Sequence, residues 1–283
     1  MSKLSDLAQQ FGLERVGKRP KLGSYLREVW KRRAFAWTLS TYRLLASTAR
    51  NRLGIAWLVL VPALQITVYG LIFGLVLGDA RPDNFLPFLV VGVVLFQFLA
   101  GSFSDGARSI TSNSSLAKSL SFPRVLLPLS AMVSQWLKFS GLLALAVMAL
   151  LFFGEFPRLS WLLIFGVVGL ASLFALGIAM ISARLTVHFN DLSQLIPFIT
   201  RVAFYASGVF FSVERLTGSL PWLGFLEWAN PVSVYLSLAR AVMITGHPVE
   251  SWMWLAGGIW GLVTLVFGFF FFWSAEERYG RAG

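Results

Sequence analysis

Residues 159–183 read LSWLLIFGVVGLASLFALGIAMISA, a run without one formally charged side chain. An α-helix rises about 1.5 Å per residue, so a run of this length can cross the roughly 30 Å hydrocarbon core of a membrane. Runs of similar composition predict six membrane spans, at about 54–78, 85–104, 125–153, 159–183, 192–213 and 251–275. The sequence therefore predicts an all-α polytopic membrane protein with six transmembrane helices.

Composition supports a membrane protein and excludes several kinds of site. Of the 283 residues, 57% are hydrophobic and only 13% are charged, against about 25% charged in a soluble domain. The absence of cysteine excludes disulfides and thiolate metal sites. His188 and His247 are far apart in sequence and indicate no metal-ligand cluster, so we predict no bound metal.

The net charge of +11 is concentrated before the first span. Twelve of the 24 lysines and arginines precede Leu53, which is typical of a cytoplasmic N-terminus beside anionic lipid headgroups rather than of nucleic-acid binding. Threading six spans from there leaves few basic residues outside, so we predict that both termini are cytoplasmic. The basic residues assigned to the outer side are Arg81, Arg158, Arg215 and Arg240. Lys138 and Arg201 remain inside spans, where their charge predicts a partner, a cavity or an interface.

The N-terminal region 1–53 is predicted to be a cytoplasmic tail followed by one amphipathic helix over 24–53. An apolar stripe at three- and four-residue spacing predicts that this helix lies in the headgroup layer. The stripe consists of Phe35, Leu39, Tyr42, Ala46, Ala49 and Leu53. Such a helix is either a passive anchor or a gate or ATPase contact at the inner mouth. At the other end of the chain, residues 276–283 are predicted to be a short cytoplasmic tail.

Two connections between the spans also carry predictions. The polar loop 105–124 has candidate N-caps at residues 112–114, which predict a short helix through about Leu120 that Pro123 ends. This helix is either an ordinary connector or the part of the chain that receives a mechanical push. The broken, aromatic segment 214–250 predicts one or two re-entrant or interfacial helices on the outer face.

The last two predicted spans have features of their own. The fifth contains Pro197 and is followed by Ser207-Gly208, which makes it the least regular of the six. In the last span, Gly257 and Gly261 form a small-xxx-small pattern, which predicts close contact with a neighbouring helix.

The chain lacks the groups that would power transport or catalysis by itself. It has no Gly-x-x-x-x-Gly-Lys-Ser/Thr loop for ATP, and no carboxylate in the middle of a span for proton or sodium coupling. His188 with Asp191 and His247 with Glu250 lack the further groups that an active site needs. We therefore predict a chain that is not an enzyme and holds no cofactor; any ATPase is a separate subunit. A scaffold protein is the alternative.

Aromatic side chains are the remaining signal, because sugar rings stack on them and a glycan can slide along such a lining. The candidates for a glycan channel or outer gate are Trp57, Tyr69, Phe73, Arg201, Phe204, Tyr205, Phe210, Trp222 and Trp228. Arg201 is included because a guanidinium binds phosphate oxygens in pairs, with snorkelling or carbonyl pairing as its alternative. The alternative for the aromatics is an interfacial belt and ordinary helix packing.

Four segments follow one another in a distinctive order. Residues 49–57 read ARNRLGIAW, residues 113–128 read NSSLAKSLSFPRVLLP, residues 188–195 read HFNDLSQL, and Asn230-Pro-Val precedes Ala239-Arg240. In their order and spacing they resemble the permease subunits of ABC-2 type polysaccharide exporters, which move O-antigen, teichoic acid and galactan precursors. The resemblance covers about residues 35–272.

The resemblance implies a homodimer in the bacterial cytoplasmic membrane, working with two copies of a cytoplasmic ATPase that binds ATP and magnesium. The implied cargo is a lipid-pyrophosphate-linked polysaccharide, and an ABC-2 exporter of a drug or lipid is the alternative. The loop 105–124 would be the coupling helix, through Asn113, Leu116, Lys118, Phe122, Pro123 and Arg124. The N-terminal amphipathic helix would be a gate helix, through Trp30, Arg33, Trp37, Tyr42, Arg50 and Arg52. The segment 214–250 would close the outer mouth.

Overall fold

A computed structural model of the protein describes residues 21–48, 52–76, 78, 82, 84–189, 191–211, 225–247 and 250–279, and its regular elements are all helices. In chain order the helices are α1 (Leu22–Lys31), α2 (Arg33–Thr48), α3 (Trp57–Val76), α4 (Phe85–Ala107), α5 (Ser114–Ser119), α6 (Leu126–Phe152), α7 (Ile164–His188), α8 (Leu192–Ala206), α9 (Leu226–Ala229), α10 (Pro231–Met243), α11 (Ser251–Ser274) and α12 (Glu276–Tyr279).

Five of these helices are long and apolar enough to cross a membrane. They are α3, α4, α6, α7 and α11, with short 3-10 turns at Gly54–Ala56 and Leu159–Leu163 extending α3 and α7. Apolar helices of this length satisfy their own backbone hydrogen bonds, which is the condition for lying in hydrocarbon. The prediction of an all-α polytopic membrane protein is therefore confirmed.

The predicted fifth span differs from the structure. Helix α8 has 15 residues, which amounts to about 22 Å at 1.5 Å per residue and is shorter than the hydrocarbon core. The chain turns immediately afterwards, at Ser207, and Gly208 has a φ of +71°. This left-handed conformation ends the helix, and glycine adopts it without steric cost.

Helix α4 occupies the centre of the bundle, because it is buried on nearly all sides by α6, α7 and α10. Leu89, Val93 and Phe98 are almost completely buried along its length. By contrast, α3 is the least buried of the long helices, because only 11% of the residues in its most apolar stretch are buried. One face of the bundle, formed around α3, is therefore left open in a single chain.

Helices α7 and α11 cross with their backbones in close contact. A Cβ atom on Gly268 would overlap the backbone of Gly177, and one on Gly177 would overlap the backbone of Thr264. The predicted small face of α11 is present, because Gly257 lies against Tyr235 and Gly261 against the Leu170 carbonyl. The small face of α11 continues with Thr264, one turn after Gly261, and with Gly268, one turn after Thr264. Small residues permit this contact, since helices in lipid associate by close packing rather than by hydrophobic burial.

The N-terminal amphipathic stretch forms two helices, α1 and α2, which break at Arg32. Of the predicted stripe, Phe35 and Leu39 are half-buried and Tyr42 and Ala46 are exposed, while the buried residues of α2 include Ala36 and Ser40. The Ser40 hydroxyl donates to the Ser130 carbonyl of α6 at 2.7 Å. A small residue with its own hydrogen bond permits close packing of α2 against α6 at this position.

The part of segment 214–250 that the structure describes contains α9 and α10; residues 212–224 lie outside the description. Helix α10 begins at Pro231, and its N-cap is Asn230, whose side-chain oxygen accepts from the backbone N–H of Val232 at 3.1 Å. Its core residues Tyr235 and Leu238 are fully buried. This helix is therefore an inserted part of the bundle core and not a surface loop.

Candidate functional site

Five of the aromatic residues singled out in the sequence form one ring cluster between α3 and α8. The ring of Phe73 stacks on that of Phe210 with centroids 4.0 Å apart, and Tyr69 meets Phe204 and Phe210 at 5.5 and 5.3 Å. Tyr205 stacks on Phe210 at 5.9 Å. Such ring pairs each contribute about 0.5–1.5 kcal/mol beyond their area burial. The structure thus brings these five together; their role as a glycan channel stays a prediction.

The cluster lies on the open face of the bundle. Phe210 is buried, while Tyr205 and Phe198 on α8 and Leu71 on α3 are at least half exposed. Arg201 is also exposed on this helix. This face therefore presents aromatic rings and one guanidinium to whatever covers it.

The other predicted channel residues do not join the cluster. Trp57 begins α3, twelve residues before Tyr69, which is about 18 Å along the helix axis. Trp228 lies in α9, where its carbonyl accepts a hydrogen bond from the indole N–H of Trp260 at 2.8 Å. Trp222 lies outside the described residues.

Arg240, which the sequence assigns to the outer side, is buried on α10. Its guanidinium lies 3.4 Å from the Phe88 ring centroid and donates to the carbonyls of Gly208 at 2.9 Å and Val209 at 3.0 Å. These carbonyls belong to the turn that ends α8, and Phe210 follows directly. Arg240 therefore fixes the turn that presents Phe210 to the cluster. The sequence signal for this buried role is that Arg240 is the one charged residue within the largely apolar run 234–244.

At the end of the bundle that carries α1, α2 and α12, which we call the basic end, residues 108–125 connect α4 to α6. The short helix α5 is present, but the predicted N-caps are wrong. No side chain caps α5, and the buried Asn113 side chain donates instead to the Ser109 carbonyl. Leu116 is half-buried, while Lys118 is exposed on α5.

The remaining predicted coupling residues hold this connection together from within. Phe122 and Pro123 are buried. The Arg124 guanidinium donates to the carbonyls of Ala117 and Phe122, each at 3.2 Å. These bonds close the C-terminal end of α5, where a cation also interacts favourably with the helix dipole. Arg124 therefore holds the C-terminal end of α5 in place, and its guanidinium is turned back onto the connection.

The N-terminal helices contact this connection directly. Arg32, at the break between α1 and α2, donates to the Ser121 carbonyl at 2.8 Å. On α2, the Phe35 ring lies 5.1 Å from that of Phe122. The start of α2 is therefore in direct contact with residues 121–122.

A buried carboxylate, which sequence reasoning missed, joins three distant parts of the basic end. Glu276 on α12 accepts from the Tyr25 hydroxyl of α1 and from the Arg124 backbone N–H, both at 2.8 Å. Burial raises the pKa of Glu276, and the two hydrogen bonds and the Arg124 charge offset only part of that shift. Burial also raises the pKa of Tyr25. The two residues are 251 positions apart, so no local pattern pairs them.

The predicted gate residues lie mostly on the surface. Trp30, Trp37 and Tyr42 are 71%, 58% and 70% exposed, as amphipathic side chains at a membrane interface are. Arg33 lies over the Trp30 ring at 4.9 Å, and Arg52 is exposed. Arg50 lies outside the described residues.

The basic end also contains a polar cavity of about 390 Å³ between α2, the last turn of α4 and α6. Its lining residues are Arg43, Leu44, Ser47, Asp105, Arg108, Ser112, Ala131, Ser134 and Lys138. Lys138, which the sequence placed inside a span, pairs here with Asp105 at 2.9 Å. The predicted need of this lysine for a partner or cavity is met by both.

Comparison with known proteins supports the family suggested by the sequence. The O-antigen export system permease protein RfbA of Klebsiella pneumoniae is 27% identical over 75% of this chain and 82% of its own length. That of Myxococcus xanthus is 29% identical over 68% and 73%, and the polysialic acid transport protein KpsM of Escherichia coli is 23% identical over 80% and 87%. Residues 36–244 match the family model described as ABC-2 type transporter, and the chain therefore belongs to the ABC-2 type transporter family.

Proposed function

We propose that the chain is the membrane permease subunit of an ATP-driven exporter that moves a lipid-pyrophosphate-linked polysaccharide across the bacterial cytoplasmic membrane. The relatives named above, which export O-antigen or transport polysialic acid, support the polysaccharide class. The observation that carries the proposal is the ring cluster of Tyr69, Phe73, Phe204, Tyr205 and Phe210 on the open face. Such rings offer apolar stacking surfaces to sugars along a path.

The path lies between two copies of this chain. A face that carries the cluster and the exposed apolar residues of α3 and α8 is left uncovered in one protomer. A second copy, placed symmetrically, encloses the two clusters in one channel, as symmetric homodimers pair identical surfaces. The lipid anchor stays in the membrane while the glycan passes through.

Energy enters at the basic end, which is the cytoplasmic end. Two copies of a partner ATPase bind ATP and magnesium. Each copy contacts the outer face of α5, which includes the exposed Lys118 and the half-buried Leu116. Movement of α5 reaches α2 through the contacts of Arg32 with Ser121 and of Phe35 with Phe122. These contacts support the assignment of 105–124 as the coupling segment and of α1 and α2 as the gate.

The proposal is tested by depleting the chain in its own cells and identifying what accumulates. The expected result is a lipid-linked polymer on the cytoplasmic side, whose sugar composition assigns it to the O-antigen, teichoic acid or galactan type. Normal surface polymer together with lost efflux of a drug or lipid would favour the alternative exporter. Normal surface polymer and unchanged efflux would refute both.

A further inference from the structure

The polar cavity at the basic end carries an excess of positive charge. Three of its lining residues, Arg43, Arg108 and Lys138, are cationic, and Asp105 is its one carboxylate. The cavity is therefore a basic pocket with a formal charge of about +2, and its walls come from three helices that are distant in sequence.

One of these cations has unused hydrogen-bonding capacity. Within the part of the chain that the structure describes, the buried Nη2 atom of Arg43 has no hydrogen-bond partner. Burial lowers the pKa of Arg43, and the charge of Asp105 offsets part of this shift. An arginine nonetheless stays protonated in proteins, so its charge is left without full compensation.

One oxygen of the single carboxylate already accepts from two other groups. Oδ2 of Asp105 accepts from the side-chain amide of Gln135 and from the ammonium of Lys138 at 2.9 Å. Asp105 therefore orders α6 against α4 and leaves Arg43 of α2 to face the cavity. Leaving a buried donor unpaired is costly, which favours a ligand that can accept from it.

We propose that this pocket binds a phosphate group, as a phosphate ester or a diphosphate, with Arg43 as its principal ligand. The planar guanidinium matches phosphate oxygens in paired hydrogen bonds, and the hydroxyls of Ser47 and Ser134 line the same cavity. The source of the phosphate is either an anionic lipid headgroup or the pyrophosphate of a carrier-linked glycan. Only the second source rests on the proposed function. A ligand here joins α2 to α4 and α6.

The test uses the full-length protein in phosphatidylcholine nanodiscs, titrated calorimetrically with inorganic pyrophosphate at constant ionic strength. The wild type is expected to show saturable binding, and Arg43→Gln to weaken it about tenfold or more, since it removes a charge-assisted contact. Arg33→Gln is the matched control, because it removes the same charge from an exposed position on the same helix, and binding should not change.

Arg43→Lys separates a lost ligand from a damaged fold. It keeps the positive charge at this position, so it should bind pyrophosphate more tightly than Arg43→Gln does. The proposal is overturned if the wild type does not bind pyrophosphate, if Arg43→Gln binds as Arg33→Gln does, or if Arg43→Lys binds as weakly as Arg43→Gln does.

A second arm repeats the titration in nanodiscs that contain phosphatidylglycerol. Weaker apparent pyrophosphate binding there assigns the site to a lipid headgroup, and unchanged binding assigns it to a diphosphate cargo; both support a phosphate site. The depletion experiment is independent of this titration. If surface polymer does not depend on the chain, the proposed function fails while the phosphate site stands.

Discussion

Replacement of Glu276 by alanine should loosen the connection between α5 and α6. The carboxylate is 5% exposed and accepts from the Arg124 N–H and the Tyr25 hydroxyl, each at 2.8 Å. Each buried donor left unpaired costs about 1–3 kcal/mol, which sets a range of about 2–6 kcal/mol for the two. Burial of the ionised carboxylate is itself unfavourable, as the raised pKa of Glu276 indicates. Its removal therefore offsets part of the cost of the two lost hydrogen bonds. We therefore expect a loss near the lower end, about 2 kcal/mol.

The measurement is hydrogen–deuterium exchange of the peptide covering residues 120–127, followed by mass spectrometry. A loss of about 2 kcal/mol corresponds to roughly 30-fold faster exchange of the amides that open with this contact. Glu277→Ala is the control, because it removes the same charge from an adjacent, exposed position. If both variants exchange at the wild-type rate in this peptide, Glu276 does not hold the connection and the reasoning is refuted.

Three further predictions concern stability and transport. The folded protein keeps the Glu276 proton at pH values where the unfolded chain releases it. The wild type should therefore lose stability relative to Glu276→Gln as pH rises above 4.5. A difference in melting temperature between the two proteins that stays constant with pH would contradict this. Gly268→Ala should cost about 1–3 kcal/mol of unfolding free energy by overpacking, while Gly258→Ala, whose Cβ meets nothing within 4 Å, should not; equal melting temperatures in detergent would count against the close crossing. Phe204→Ala, which removes three ring contacts within the cluster, should slow polymer export more than Phe165→Ala, which removes an exposed ring on α7, and equal export rates would leave the cluster without a role.

Local sequence signals predicted much of the architecture. Five of the six predicted spans are long apolar helices, and the short helix α5 lies within the predicted loop. The aromatic candidates on α3 meet Phe204 on α8 and Phe210 in the segment that follows α8. The fifth span was predicted too long, since Gly208 and the carbonyl bonds of Arg240 end its helix early.

The choice of partners for polar groups could not be predicted in the same way. Asn113 has the residue type and position of an N-cap, yet its side-chain NH2 group donates to the Ser109 carbonyl and its side-chain oxygen accepts no capping bond from α5. The sequence assigns Arg240 to the outer side without a partner, and only the structure shows that its guanidinium binds the carbonyls of the turn after α8.

The sequence by itself determined that this chain lies in a membrane, where its apolar helices fall and which family it belongs to. Membrane partitioning depends on hydrophobicity summed along each segment, so it can be read locally. Only the tertiary structure decided that Tyr25 meets Glu276 and that Arg43 faces a basic pocket. These pairings depend on which helices cross and on how closely they approach. The crossings are set by packing between residues that are far apart in sequence, such as Tyr25 and Glu276, which are 251 positions apart.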